Sequence, residues 1–324
     1  MNIIVVYREV NNMKIGILGC GRIAQKMGDT LLKMGLNSEA YIASRDIKKA
    51  QEFLKKYHFS GAYGSYEEML DNPEIELIYI ATVNSCHYEQ AKMCLQKGKH
   101  VLLEKPMTLR LNEAEALYSL AKEKHLYLSE ALWTAYMPSL LVIQTYLKDY
   151  FSTITSSYAV FKVNTLYKER VKEKSLGGGA LFDLGIYPIA MTLLTCGFDY
   201  KKMTIDELVI NENGVDEKES ISLEYPNFIA KMDIDATFDR VSYLEIQNKN
   251  YRLKVSPLEC PKTLELYHGE TLIKQVDVSP QITGFEYEIM ESISQIQKGN
   301  IESYSWPREK SLKTLKLMTE IIRF

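Results

Sequence analysis

The sequence predicts an α/β protein: a doubly wound parallel sheet, then a second α+β domain whose strands are mainly antiparallel. Three observations carry this. Residues 14–130 alternate short apolar runs with helix-like segments, and strands joined through helices run parallel. A GxGxxA pattern of Gly19, Gly21 and Ala24 falls where the first strand gives way to the first helix. Beyond residue 135 the pattern changes to short strands linked by Asn, Gly and Pro turns, with apolar residues at every second position.

The elements follow in order. KIGILG (14–19) is a strand, and the helix from Gly21 to Met34 sets Ile23, Met27, Leu31 and Met34 on one face. AYIAS (40–44) is the second strand, followed by a charged helix from Ile47 to Tyr57. A brief third strand lies around Ala62 and Tyr63, and the next helix opens on Ser65 with Glu68 three positions on, a capping box. LIYIAT (77–82) is nearly all apolar, as a strand covered on both faces must be. A helix over 86–97, the strand 100–104, a helix over 112–124 and the strand 126–131 complete the series, with Gly98 and Pro106 at its breaks.

In the second part, strands are predicted at 153–163, 204–211, 219–225, 228–238, 241–247, 251–256 and 263–267. Helices return at 179–196, 284–298 and 308–322. The charge run KERVKEK (168–174) reads as a solvated loop, and Pro188 should kink its helix just after Tyr187. The domains are therefore 13–132 and 133–324, with the C-terminal helix able to pack back on the first. Residues 1–12 read as a leader or an extra edge strand, since Met13 directly precedes a strong strand.

Composition narrows the function. The chain has 324 residues and a formal net charge of −3, which creates no general field for nucleic acid. No stretch approaches the ~20 uninterrupted apolar residues of a membrane helix. Five scattered cysteines form no CxxC and the five histidines show no ligand spacing, so a metal site is not expected and a reducing cytoplasm is.

The glycine pattern points to a dinucleotide. Gly19 permits the tight turn, Gly21 lets backbone amides approach a pyrophosphate, and small Ala24 allows close helix packing; Arg22 and Ile23 lie within the same turn. At the end of the second strand, where an NAD site usually offers a carboxylate, stand Ser44 and Arg45, a hydroxyl and a guanidinium suited to a 2′-phosphate. NADP is thus favoured over NAD, although Asp46 one position on could still reach a ribose. Thr82, Asn84 and His87 follow the fourth strand and Glu104, Lys105 and Pro106 the fifth, at the carboxyl ends where such sheets bind ligands. The Lys105 ammonium there could stabilise alkoxide character on a reacting oxygen.

Taken together, GILGCGRIA, ATVNSCHYEQA, VLLEKPMTL, EALWTAYMP and GGGALFDLGIYPI resemble the Gfo/Idh/MocA oxidoreductases over nearly the whole chain from Met13. The resemblance implies a Rossmann domain, a second domain on an open and mainly antiparallel sheet, and NAD(P)-dependent redox chemistry at a sugar, polyol or diol-like hydroxyl. It implies that Lys105 and Tyr187 are the acid/base pair, with Asp183 positioning the substrate or Lys105. It further places Thr82, Asn84, His87 and Glu104 at the cofactor and Trp133 and Arg170 at the substrate. Ala135 stands where relatives often have Arg, so their substrates do not transfer directly. A homodimer is expected from the same resemblance. The rival reading is a catalytically silent, NADP-sensing regulator on the same fold.

Overall fold

The computed structural model describes residues 13–322, and the chain forms two compact units. One ends at Tyr136 and takes in Gln281–Leu312; the other is Met137–Pro280 and resumes at Lys313. The expectation for residues 1–12 lies outside the described residues.

The first unit alternates strand and helix as its apolar runs require: β1 (Lys14–Leu18), α1 (Arg22–Met34), β2 (Ala40–Ala43), α2 (Ile47–Tyr57), β3 (Gly61–Tyr63), α3 (Tyr66–Leu70), β4 (Ile75–Ile80), α4 (His87–Gln96), β5 (His100–Glu104), α5 (Leu111–Glu123) and β6 (Leu128–Ala131). Among the described residues these strands form a six-stranded sheet in the order β3-β2-β1-β4-β5-β6, every pairing parallel. Strand order reverses between β1 and β4, which opens a crevice at their carboxyl ends. Ile15, Ile17, Ile78, Ile80, Leu102 and Leu103 have no solvent exposure. Each such side chain contributes about 1.5–3 kcal/mol of hydrophobic stabilisation.

The second unit comprises α6 (Ser139–Tyr150), β7 (Ser156–Lys162), α7 (Glu169–Lys172), α8 (Ile186–Cys196), β8 (Lys202–Ile210), β9 (Asp216–Glu224), β10 (Ile229–Asp235), β11 (Val241–Gln247), β12 (Tyr251–Ser256), β13 (Thr263–His268) and β14 (Thr271–Asp277). Among the described residues its sheet has eight strands in the order β14-β13-β12-β11-β7-β10-β9-β8. All its pairings are antiparallel except β7 with β10. The apolar helix α8 covers β7, β10 and β11. Alternate residues Ala230, Met232 and Ile234 of β10 are fully buried, as the period of two requires.

Several expectations change. The segment that carries α9 (Phe285–Gln297) and the start of α10 (Arg308–Ile321) belongs to the first unit: Phe285, Ile289 and Ile293 share a core with Met27 and Leu31 of α1. Within the charge run at 168–174, Glu169–Lys172 form the short helix α7 with Val171 fully buried, while Glu169, Lys172 and Lys174 stay exposed as a solvated run requires. Ahead of α8 the chain takes a π-turn over Leu181–Gly185, so the irregularity precedes Pro188 instead of following Tyr187. Helix α6 and strand β14 appear where no element was predicted.

Candidate active site

The glycine turn joins β1 to α1. Gly19 has φ 97°, a left-handed conformation, and a Cβ there would meet Ala81 O at 3.1 Å and Thr82 Cγ2 at 3.2 Å. Its N–H donates to Ala43 O at 3.0 Å, which ties the turn to the end of β2. Helix α1 begins at Arg22 with no side-chain cap and no acidic residue in its first turn. Its first N–H groups and the positive end of its dipole are thus left for an anion. Arg22 and Gly21 are exposed, Ile23 is half-buried, and Ala24 is fully buried against the sheet. This cradle fits a dinucleotide pyrophosphate.

At the end of β2, Ser44 is buried and its hydroxyl accepts the Asp46 N–H at 3.2 Å. The Asp46 carboxylate caps α2, accepting Lys48 N–H at 3.0 Å. Arg45, beside it, is exposed.

After β4, the Thr82 hydroxyl donates to Gln90 Oε1 at 2.6 Å, and Asn84 opens a short 3-10 turn. His87, expected at the cofactor, lies wholly inside the protein. Its Nδ1 is 2.8 Å from Pro106 O, while Nε2 is 3.4 Å from Thr82 O. Burial pulls its pKa down to about 4, so the ring is neutral and its single N–H is donated from Nδ1 to the Lys105 loop.

That loop is held from several sides. Glu104 is buried at the end of β5, takes the Tyr79 hydroxyl and accepts the Lys105 N–H at 3.2 Å. Burial raises its pKa, opposed by the Tyr79 bond and the Lys105 charge. Lys105 itself is partly exposed. Nearby, Glu288 of α9 is fully buried, and neither carboxyl oxygen has a hydrogen-bond partner among the described residues. Burial and the adjacent Glu104 charge push its pKa well up, which keeps it as the neutral acid.

Trp133, expected at the substrate, packs edge-on to Phe285 with ring centroids 5.4 Å apart. The Lys26 ammonium lies 3.4 Å from the Trp133 ring centroid. Sequence reasoning passed over Lys26, and nothing in its helical spacing marks it.

In the second unit, buried Asp183 pairs with Arg170 at 2.7 Å. Asp183 lies in the π-turn, while Tyr187 is in the first turn of α8, half-buried, with its ring 5.5 Å from that of Phe161. The start of this segment is clamped by Asp216 of β9, which accepts Leu181 N–H at 2.6 Å. Gly179 has φ 120°, and a Cβ there would come within 2.2 Å of Asp216 Oδ1, so the clamp requires glycine. The glycine run signals a close approach in the sequence; its acidic partner 37 residues on does not.

Comparison with known proteins bears on the chain as a whole. The signature of the group described as "Oxidoreductase family, NAD-binding Rossmann fold" (GFO_IDH_MocA) matches residues 13–132. The chain is 31% identical over 215 residues to trans-1,2-dihydrobenzene-1,2-diol dehydrogenase of Xenopus tropicalis, a match spanning 65% of each protein. The Homo sapiens protein of the same name is 26% identical over 324 residues, 95% of this chain and 96% of that one. Among solved structures, a 3-ketoreductase from Actinomadura kijaniata in complex with NADP and TDP-benzene superposes with a TM-score of 0.83 at 22% identity, covering 96% of this chain and 97% of that one. An aldose-aldose oxidoreductase from Caulobacter crescentus superposes with a TM-score of 0.84 at 18% identity, covering 97% of both chains. Residues 13–132 thus carry the Rossmann signature of the Gfo/Idh/MocA oxidoreductases, the chain spans just under two thirds of the Xenopus relative it matches, and the solved structures share its fold.

Proposed function

We propose that the protein is an NAD(P)-dependent dehydrogenase or reductase, preferring NADP, that acts on a secondary alcohol or carbonyl of a sugar, polyol or diol-like substrate. The observation that carries this reading is the loop Glu104-Lys105-Pro106. His87 fixes it from one side and Glu104 folds back on it, at the carboxyl end of a parallel sheet that also presents the glycine cradle. The named relatives, diol dehydrogenases, support the substrate class.

Gly19, Gly21, Arg22, Ile23 and Ala24 would hold the pyrophosphate and Ser44 with Arg45 the adenosine 2′-phosphate, with Thr82 and Asn84 toward the nicotinamide. The bound nicotinamide supplies or accepts the hydride. The chain's own residues manage the proton. Lys105 hydrogen-bonds the substrate oxygen and stabilises negative charge on it, and Tyr187 gives or takes the proton. Asp183, neutralised by Arg170, orients the substrate hydroxyls. The five free cysteines support a reducing compartment such as the cytoplasm.

Lys105→Met and Tyr187→Phe should each reduce turnover about 10²–10⁴-fold, while NADPH affinity, read by its fluorescence, stays within about twofold. Unchanged turnover in either variant removes that residue from the mechanism. Arg45→Ala should weaken NADPH binding about tenfold, the loss of one charge-assisted contact, and leave NADH binding unchanged. Equal losses for the two cofactors would remove Arg45 from cofactor selection.

A further inference from the structure

Glu130 belongs to the EALWTAYMP stretch, yet neither the motif nor the proposed chemistry gives it a task. It lies on β6, 2% exposed, in a strand that is otherwise buried and uncharged. One carboxyl oxygen accepts the Met107 N–H at 2.8 Å. The other accepts the Trp306 indole N–H at 2.8 Å and the Ser311 hydroxyl at 2.7 Å. A buried carboxylate with three donors is well satisfied as an anion. Its Met107 partner is two residues beyond Lys105, on the far side of Pro106.

We propose that Glu130 is a positioning residue for Lys105: its bond to Met107 fixes the loop that carries the amine, and its buried negative charge attracts that amine. This rests on the reading of Lys105 as part of the proton-handling pair. The attraction between the two groups is mutual; the Lys105 charge opposes the rise that burial imposes on Glu130. The other ionisable neighbours have their own roles. Glu104 takes the Tyr79 hydroxyl, His87 is neutral against Pro106, and Tyr118 of α5 is a buried phenol that burial keeps protonated. A purely architectural role, in which Glu130 only joins β6 to Trp306 and Ser311, would leave the amine's titration where it is.

Reductive ¹³C-methylation of the lysines, with the Lys105 signal assigned by its loss in Lys105→Arg, reads that titration by NMR without any substrate. Glu130→Gln keeps size and an acceptor for Met107 but removes the charge, so the Lys105 midpoint should fall by about one pH unit. A midpoint within about a third of a unit of the parent, in folded protein, overturns the proposal. Glu130→Asp keeps the charge but withdraws its reach. The Lys105 midpoint should then hold while the Met107 amide exchanges with solvent about tenfold faster, one lost hydrogen bond. Should Glu130→Gln not fold, this second variant decides, and Met107 exchange at the parent rate overturns the proposal. Normal turnover in Lys105→Met would sink the reading beneath it instead, separately from either NMR result.

Discussion

His87 shows how a side chain's place can be legible while its surroundings are not. Its position after β4 is legible from the strand pattern, and the family resemblance put it at the cofactor. Its actual surroundings depend on α4 packing against β4 and β5, which no local pattern encodes. The buried ring has a testable cost. In the unfolded chain it takes a proton near pH 6.5, but in the native protein only near pH 4. Unfolding therefore takes up a proton between these values, and the stabilisation present above pH 6.5 is lost as pH falls through them. The loss amounts to about 3 kcal/mol at the acid end. Urea titrations at pH 7 and pH 4.5 should show the parent losing about 2–3 kcal/mol more than His87→Gln. Equal losses would mean that the ring is not buried neutral.

At the scale of elements, the strands with a strict alternation were the legible ones. β10 has one face on the core, so its buried apolar residues Ala230, Met232 and Ile234 recur with period two. Strand β14 escaped because it is an edge strand exposed on both faces, and its sequence therefore carries no alternation. The π-turn before α8 escaped for a different reason. Its extra residue is accommodated by tertiary contacts, among them Asp216 on the Leu181 N–H, which lie far off in sequence. Gly179→Ala should thus destabilise the protein by about 2 kcal/mol or more, combining backbone strain with the displaced carboxylate. Asp216→Asn, which keeps an acceptor, should lower the melting temperature less. If the alanine variant melts with the parent, the clamp does not hold this segment.

For the whole molecule, the sequence foretold two parts, a parallel sheet with its ligand edge and a second, antiparallel one, but not which part owns residues 281–312. A helical period reveals that a face is apolar, not what covers it. Phe285, Ile289 and Ile293 could have packed anywhere, and they complete the core around Met27 and Leu31 of the first unit. The glycine cradle and Lys105 belong to one unit, and Tyr187 and Asp183 to the other. The decisive measurement is isotope transfer. The protein would be incubated with NADPH deuterated at the transferring position of C4 and a panel of aldoses, ketoses and vicinal dicarbonyl compounds, and the products weighed by mass spectrometry. The account predicts one deuterium at the new carbinol carbon of at least one product. NADPH that is bound tightly but passes its label to none of them would contradict it and favour the silent sensor.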